Sequence, residues 1–260
     1  MTRVLTCTNQ KGGVAKTTTN WALAGALRSK GLTTLLVDLD PQCNLTSTVT
    51  SWGMRHERTV KDVFDGTGAI RDSIVHTGFQ GDVLPSTLAL ASADMSYTSV
   101  GRERMLERAL REIDGFYDYV LIDTPPSLGI LTLNSLSAAN YAIIPMMADA
   151  FSFQALEQLC STIRAVREYS NPGLEVLGIV VTNYTGRANF DKRNLEEIRS
   201  AAEGIGLHVF ETVIRNGVKV REAQEANESL YDYAPTSLQA AEYMALSNEI
   251  EEAIGNGEEE

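Results

Sequence analysis

The sequence has little cysteine. Cys7, Cys43 and Cys160 are the only three in 260 residues, and no two stand in a CxxC spacing. An odd, scattered set rules out a disulfide scaffold and argues against a zinc or iron–sulfur site built from one chain. Long hydrophobic runs are missing as well: no stretch approaches the roughly 18–20 apolar residues that a membrane span needs. The opening MTRVLTCTNQ passes at once into a strand-like run, so no signal peptide is expected and a cytoplasmic location is. What remains, 43% hydrophobic and 22% charged, is ordinary for a soluble globular protein. A chain of 260 residues also buries enough surface to hold a core without covalent staples.

Basic residues are absent from one end. From Glu222 onward there are 11 acidic residues and no Lys or Arg. The first 221 residues carry 23 acidic and 22 basic side chains, a net of −1, although the whole chain stands at −12. The acidity therefore belongs to one segment, and the rest is balanced enough to carry a basic face.

Hydrophobic patterning then alternates strand and helix. Arg3–Thr8 reads as a short buried strand, Thr17–Lys30 as a helix with Trp21, Leu23, Ala24 and Leu27 near one face, and Thr33–Val37 as a strand ending at Asp38. Strand, glycine loop, helix and strand make a right-handed βαβ unit. Helices over Arg102–Ile113, Leu131–Ala139, Phe153–Tyr169, Leu195–Ile205 and Ser237–Ile254 follow. They alternate with strands at Tyr119–Ile122, Tyr141–Pro145, Val176–Thr182 and Val209–Val213. Thr48–Leu90 carries a weaker pattern, with a small helix near Val60–Phe64 and a strand near Val83–Leu84. The expectation is one doubly wound α/β domain over residues 1–260, its mostly parallel sheet flanked by helices, closing in an acidic tail at about 255–260. Ligands belong beyond the carboxyl ends of such strands.

The segment Asn9-Gln10-Lys11-Gly12-Gly13-Val14-Ala15-Lys16-Thr17-Thr18 lies between the first strand and the first helix. Glycines let a backbone approach phosphate oxygens, and a helix N-terminus offers unpaired N–H groups and the positive end of its dipole. Lys16 is placed to reach β- and γ-phosphates and the Thr17 hydroxyl to bind Mg²⁺. The literal pattern GxxxxGK[ST] is not met, because Gln10 and Ala15 stand at its glycine positions.

KGGVAKTT resembles the deviant Walker A motif, KGGxGKTT, of the ParA/MinD family of ATPases, with Ala15 in place of a glycine. The likeness continues in Asp38-Leu39-Asp40-Pro41-Gln42, similar to the family's first switch segment, and in Val120-Leu121-Ile122-Asp123-Thr124-Pro125-Pro126, similar to its Walker B and second switch segment. Ser127-Leu128-Gly129 to Asn134, Ile144-Pro145, Val218–Ala223 and Tyr233-Ala234-Pro235 extend it along nearly the whole chain, closest to ParA. The resemblance implies a P-loop NTPase-like fold with ATP and Mg²⁺ as cofactors.

It also implies roles. Lys11, Gly12, Gly13, Val14, Ala15, Lys16, Thr17 and Thr18 would cradle the phosphates. Thr17 and Asp123 would serve the metal, Asp123 through a water, with Asp38 helping to position the metal and the switch. Asp40 would orient the attacking water. Lys11, the signature lysine, would reach the partner's nucleotide across an ATP-dependent homodimer. Asn183 would read the adenine edge, since an amide both donates and accepts, and Arg215–Val218 would line the base pocket.

ParA proteins bind nonspecific DNA as ATP dimers and answer to a ParB-like activator, which implies a nucleoid-associated protein partitioning a plasmid or chromosome. The DNA candidates are Arg187, Lys192, Arg193, Lys219 and Arg221, among seven basic and five acidic residues between 187 and 221. MinD relatives bind membrane through a basic amphipathic tail. Here the tail reads SNEIEEAIGNGEEE, which anionic lipid repels, and no membrane partner is expected. Two other readings share the ATPase core: an ATP-gated positioning protein for a protein cargo and, more distantly, a metabolic P-loop enzyme.

Overall fold

The structure, a computed structural model, describes residues 1–50, 53–77, 81–148, 152–185 and 189–258; for 152–154, 189–192 and 258 it describes the backbone alone. The first half comprises β1 (Arg3–Cys7), α1 (Lys16–Ser29), β2 (Thr34–Asp38), α2 (Asn44–Val49), α3 (Val60–Phe64), α4 (Ile70–Ser73) and β3 (Asp82–Leu84). Then come α5 (Ala93–Ser96), α6 (Met105–Arg111), β4 (Tyr119–Asp123), α7 (Ile130–Ala138) and β5 (Tyr141–Met147). The chain continues through α8 (Ser152–Tyr169), β6 (Glu175–Tyr184), α9 (Asn189–Gly204) and β7 (Val209–Arg215). It finishes with α10 (Val218–Glu225), α11 (Leu230–Tyr233) and α12 (Leu238–Glu258).

The seven strands form one sheet in the order β3-β2-β4-β1-β5-β6-β7, and every pairing between them is parallel. β2 and β4 are buried at every residue, because helices cover both faces; strands in that position read as unbroken apolar runs. One core layer gathers Val37, Val120, Ile122, Leu159 and Ile179, and the other Leu5, Trp21, Leu36, Leu121 and Tyr243. The register sets Asp38 opposite Asp123, and Asp123 opposite Cys7, so the ends of β2, β4 and β1 lie side by side.

Several elements differ from the sequence reading, each for a local reason. Helix α1 is buried all round rather than on one face. It lies between the sheet and the C-terminal helices, where a Cβ on Gly25 would come within 3.0 Å of the Tyr231 ring. The helix read at Arg102–Ile113 opens as a 3-10 turn over Arg102–Arg104 and becomes α-helical at Met105. Asn134 of α7 causes this. Its Nδ2 donates to the Arg102 carbonyl at 2.8 Å and its Oδ1 accepts from the Leu106 N–H at 3.0 Å, replacing the α-helical bond between those two groups. The end of the acidic segment is helical from Leu238 to Glu258, and its carboxylates tie α12 to the rest of the domain. Glu249 accepts the Glu211 and Thr212 N–H groups at 2.8 and 2.9 Å, and Glu251 pairs with Lys30.

Candidate functional site

β4 and β5 flank β1. The crossover from β1 runs to β2 and that from its neighbour β5 runs to β6, toward opposite edges of the sheet, and a crevice opens over their carboxyl ends. The loop from Thr8 to Ala15 lies there. Asn9 fixes its entry: Nδ2 donates to the Pro145 carbonyl at 2.8 Å and Oδ1 accepts from the Lys11 N–H at 2.9 Å.

Four of the loop's carbonyls are taken up by protein donors. Lys16 Nζ donates to Lys11 O at 3.0 Å, Asn183 Nδ2 to Gly13 O at 3.2 Å, and Thr182 Oγ1 to Val14 O at 3.1 Å. The Thr19 N–H donates to Ala15 O at 2.8 Å. The donor side is left available: α1 begins with no side-chain cap and no acidic residue in its first turn. An uncapped helix N-terminus at a cavity is suited to an anion. Gly13 at φ 75° and Ala15 at φ 63° supply the left-handed turns that bend the loop. For glycine that conformation is unstrained, whereas an L-residue pays roughly 1–2 kcal/mol.

The cavity above this loop measures about 560 Å³. Gly12, Gly13, Ala15, Lys16, Thr17, Thr18 and Asp40 line it, with Asn183 beside Gly13 and Arg215 beyond. Val14 is packed underneath, 1% exposed. Burial lowers the Lys16 pKa, opposed by the nearby Asp123 and Asp40 carboxylates.

Asp38 and Asp123 stand behind the cavity, both fully buried. Thr17 Oγ1 donates to Asp123 Oδ2 at 2.6 Å, and Asn20 Nδ2 lies 3.3 Å from Oδ1. Asp38 has both oxygens engaged. Oδ1 accepts from the Asp40 N–H at 3.0 Å; Oδ2 accepts from the N–H and hydroxyl of Thr46 at 2.8 and 2.7 Å. It therefore organises the turn that carries Asp40 into the cavity. Burial raises the pKa of both buried acids; mutual repulsion with the other carboxylates adds to this, and the hydrogen bonds from Thr46 and Thr17 oppose it. Among the described residues no group of three His, Cys, Asp or Glu side chains is set to hold a metal ion. The donors fit Mg²⁺ held by one hydroxyl, waters and phosphate oxygens, with a buried carboxylate behind them.

At the far end the structure adds residues the sequence reading misses. Of the expected Arg215–Val218 stretch Arg215, Asn216 and Gly217 line the cavity and Val218 does not; the additions are Val220, Gln224 and Tyr243, with Gln42, Asn44 and Pro126 nearer the loop. Glu242 accepts from the Arg215 N–H and from Arg215 Nη1, each at 2.8 Å. Gly217 is pressed against Gln239, where a Cβ would sit 2.3 Å from that side chain. The Val218–Ala223 motif points to α10, but Tyr243 carries no local motif and reaches the cavity only through the packing of α12, and Glu242 acts behind it through Arg215.

The DNA candidates do not form one bare basic patch. Arg193 pairs with Glu197 at 2.9 Å and Lys219 with Glu222 at 2.8 Å. Lys192 lies on α9 and its side chain is outside the described set; Arg187 lies outside the described residues altogether. Arg221 is on the rim of the cavity itself.

A parallel sheet in this order, with an uncapped glycine-bearing loop at its crossover, defines a P-loop α/β protein. A family model described as an AAA domain matches residues 2–176. The chain is 39% identical over 248 residues to the chromosome-partitioning ATPase Soj of Thermus thermophilus, covering 95% of each protein. It is 35% identical over 252 residues to the sporulation initiation inhibitor protein Soj of Bacillus subtilis, covering 96% of this chain and 98% of that one. Its fold is similar to that of cobyrinic acid a,c-diamide synthase from Mycobacterium smegmatis with bound ADP and magnesium. There the TM-score is 0.83 at 35% identity, with 95% of this chain and 93% of that one covered. The chain belongs to the ParA/MinD family of deviant Walker A ATPases, on its ParA side.

Proposed function

We propose that the protein is a partition motor. ATP joins two copies face to face, the pair binds DNA without sequence preference at the nucleoid in the cytoplasm, and a ParB-like partner stimulates the hydrolysis that separates them. The coarser part rests on the family: the protein is a ParA-type ATPase with ATP and Mg²⁺ as cofactors. Mg²⁺ neutralises charge on the β- and γ-phosphates. Lys16 holds those phosphates, Thr17 offers its hydroxyl to the metal with Asp123 behind it, and Asp40 orients water at the cavity.

The observation that carries the reading is the pinned loop around Lys11. Its N–H is bound by Asn9 and its carbonyl by Lys16, so the main chain fixes where this lysine starts. That supports a role in trans, like an arginine finger. Light scattering after size exclusion tests it. Asp40→Ala should bind ATP and accumulate as a dimer; Lys11→Ala should bind ATP as a monomer and fail to dimerise. A monomer in every nucleotide state for Asp40→Ala would sink the sandwich.

For DNA the proposed contacts are Arg187, Lys192, Arg193 and Lys219. Anisotropy with random-sequence duplex should show binding with ATP, weakening with salt at a log–log slope of roughly −0.9 per neutralised phosphate. The carboxylates beside Arg193 and Lys219 favour a second reading, a protein cargo, which equal DNA binding in ATP and ADP would promote. A membrane role finds no support in the acidic α12, and among the described residues no helix is long and apolar enough to cross a membrane.

A further inference from the structure

Arg221 lies on α10, whose first residues follow the Asn216–Gly217 turn at the base end of the cavity. It also lines a smaller recess of about 320 Å³ that opens beside the main cavity. Thr17, Thr18, Asn44 and Gln224 line both spaces with it. The recess touches neither Lys16, Asp40 and Pro126 on the hydrolytic side nor Asn183 and Tyr243. Arg221 thus faces the stretch between the loop and the base end, across from the first turn of α1.

Its charge is uncompensated. Arg193, Arg199, Arg215 and Lys219 each pair with a carboxylate, at 2.9, 2.7, 2.8 and 2.8 Å. Among the described residues Arg221 makes no ion pair or hydrogen bond, although Glu225 lines the same recess. An exposed guanidinium on a helix normally costs nothing to leave in water. Here it stands at the mouth of a cavity whose opposite wall is the positive end of α1, so it adds like charge to like charge in the absence of an anion. A planar fork of donors is suited to a phosphate oxygen and a ribose hydroxyl together.

We propose that Arg221, which the sequence alone assigns to a DNA surface, is a nucleotide-binding residue that clamps the α-phosphate and ribose of the bound nucleotide. This rests on the reading of the cavity as an ATP site. Because it holds the part that ATP and ADP share, Arg221 tightens both equally and does not sense the γ-phosphate. Lys16, reaching the terminal phosphates, has the opposite signature.

The test is fluorescence titration of the full chain with base-labelled ATP and ADP in Mg²⁺, for wild type, Arg221→Gln, Arg221→Lys and Lys16→Ala. Arg221 is exposed and makes no contact whose loss would unfold α10, and glutamine keeps helix propensity. Arg221→Gln should weaken ATP and ADP by the same factor, about 10-fold for a lost charge-assisted bond. Arg221→Lys should recover part of that loss. Unchanged binding of both nucleotides, or a loss confined to ATP, would overturn the clamp while leaving the ATP site intact. So would a DNA salt slope shallower by about one unit with nucleotide affinity unchanged. Wild-type protein that bound neither nucleotide would overturn the ATP site along with the clamp.

Discussion

The Thr17 hydroxyl donates to the Asp123 carboxylate at 2.6 Å. This single bond joins the first turn of α1 to the end of β4, and so the phosphate loop to the strand that leads into the second switch segment. It also fixes which lone pairs of Thr17 remain: with its proton committed to Asp123, the oxygen faces any ligand as an acceptor, the state a metal requires. Asn20 completes the arrangement from the next turn. It is fully buried, its Nδ2 reaches Asp123 Oδ1 at 3.3 Å and the Lys16 carbonyl at 3.2 Å, and its own Oδ1 has no partner. A buried unsatisfied acceptor costs about 1–3 kcal/mol, a cost consistent with a residue kept for orientation.

Asn20 is therefore expected to position Asp123. Asn20→Ala should raise the Mg²⁺ concentration that half-saturates nucleotide binding by about 10-fold, the equivalent of one hydrogen bond to a charged group. Nucleotide affinity in saturating Mg²⁺ should be nearly unchanged. A fluorescence titration with Mg²⁺ at fixed nucleotide reads this directly, and an unshifted midpoint would count against the role.

The buried acids make the nucleotide-free protein sensitive to pH in a defined direction. Burial raises the native pKa of Asp123 above its ordinary value of 3.8. A carboxyl raised in the native state stabilises the fold fully below its unfolded pKa, and that contribution is lost as pH rises through the native value. Asp123→Asn removes this loss, and an amide can still meet both Thr17 and Asn20. Without nucleotide, the variant should melt a few degrees above wild type near pH 8, with the gap closing toward pH 5. Thermal melts across that range check it; a gap that widened toward acid pH would reverse the sign and refute the assignment.

Besides Asn183 at φ 54°, two non-glycine residues by the site are held in left-handed backbone, Ala15 at φ 63° and Cys43 at φ 56°. Each immediately precedes a helix, α1 and α2, and neither side chain caps it. Ala15→Gly and Cys43→Gly should each stabilise the fold by about 0.5–1 kcal/mol, the left-handed strain relieved less the added entropy of glycine in the unfolded chain. Urea melts measure this. A destabilised Ala15→Gly would mean that the methyl group contributes packing that outweighs the strain.

What the sequence makes legible follows from how local each signal is. The loop, Lys16, Thr17, Asp40 and Asp123 lie in three short segments at strand ends, and a parallel βαβ fold brings such ends together. Strands β2 and β4 show themselves because burial on both faces leaves an unbroken apolar run. Interactions between distant segments stay hidden. Asn134 resets the start of α6 from another helix, and no periodicity near Arg102 reports it. The acidic residues of α12 look like a solvated tail in linear order, yet Glu242 and Glu249 bind β7. Asp38 shows itself beside Asp40 in the first switch segment, but the bonds that engage its oxygens, from the Asp40 N–H and from Thr46 eight residues on, have no signal in linear order.

Glu242 bears on the choice of base. It is 8% exposed, and its carboxylate accepts from both the main-chain N–H and the guanidinium of Arg215 at 2.8 Å. The bidentate grip holds the start of the Arg215–Gly217 turn, and Gly217 in turn fits against Gln239 one turn earlier on α12. On the proposed reading, this base end would recognise the nucleobase with groups whose positions depend on Glu242, while the loop and α1 would hold the phosphates. Glu242→Gln keeps the shape but offers Arg215 one acceptor in place of two. ATP affinity should fall by about 10-fold, as expected when one charge-assisted hydrogen bond is lost, and the preference for ATP over GTP should narrow. Inorganic triphosphate, which lacks base and ribose, should compete equally well against both proteins. Competition titrations with ATP, GTP and triphosphate separate the terms. A variant that lost triphosphate affinity as steeply as ATP would show that Glu242 acts on the whole cavity and not on its base end.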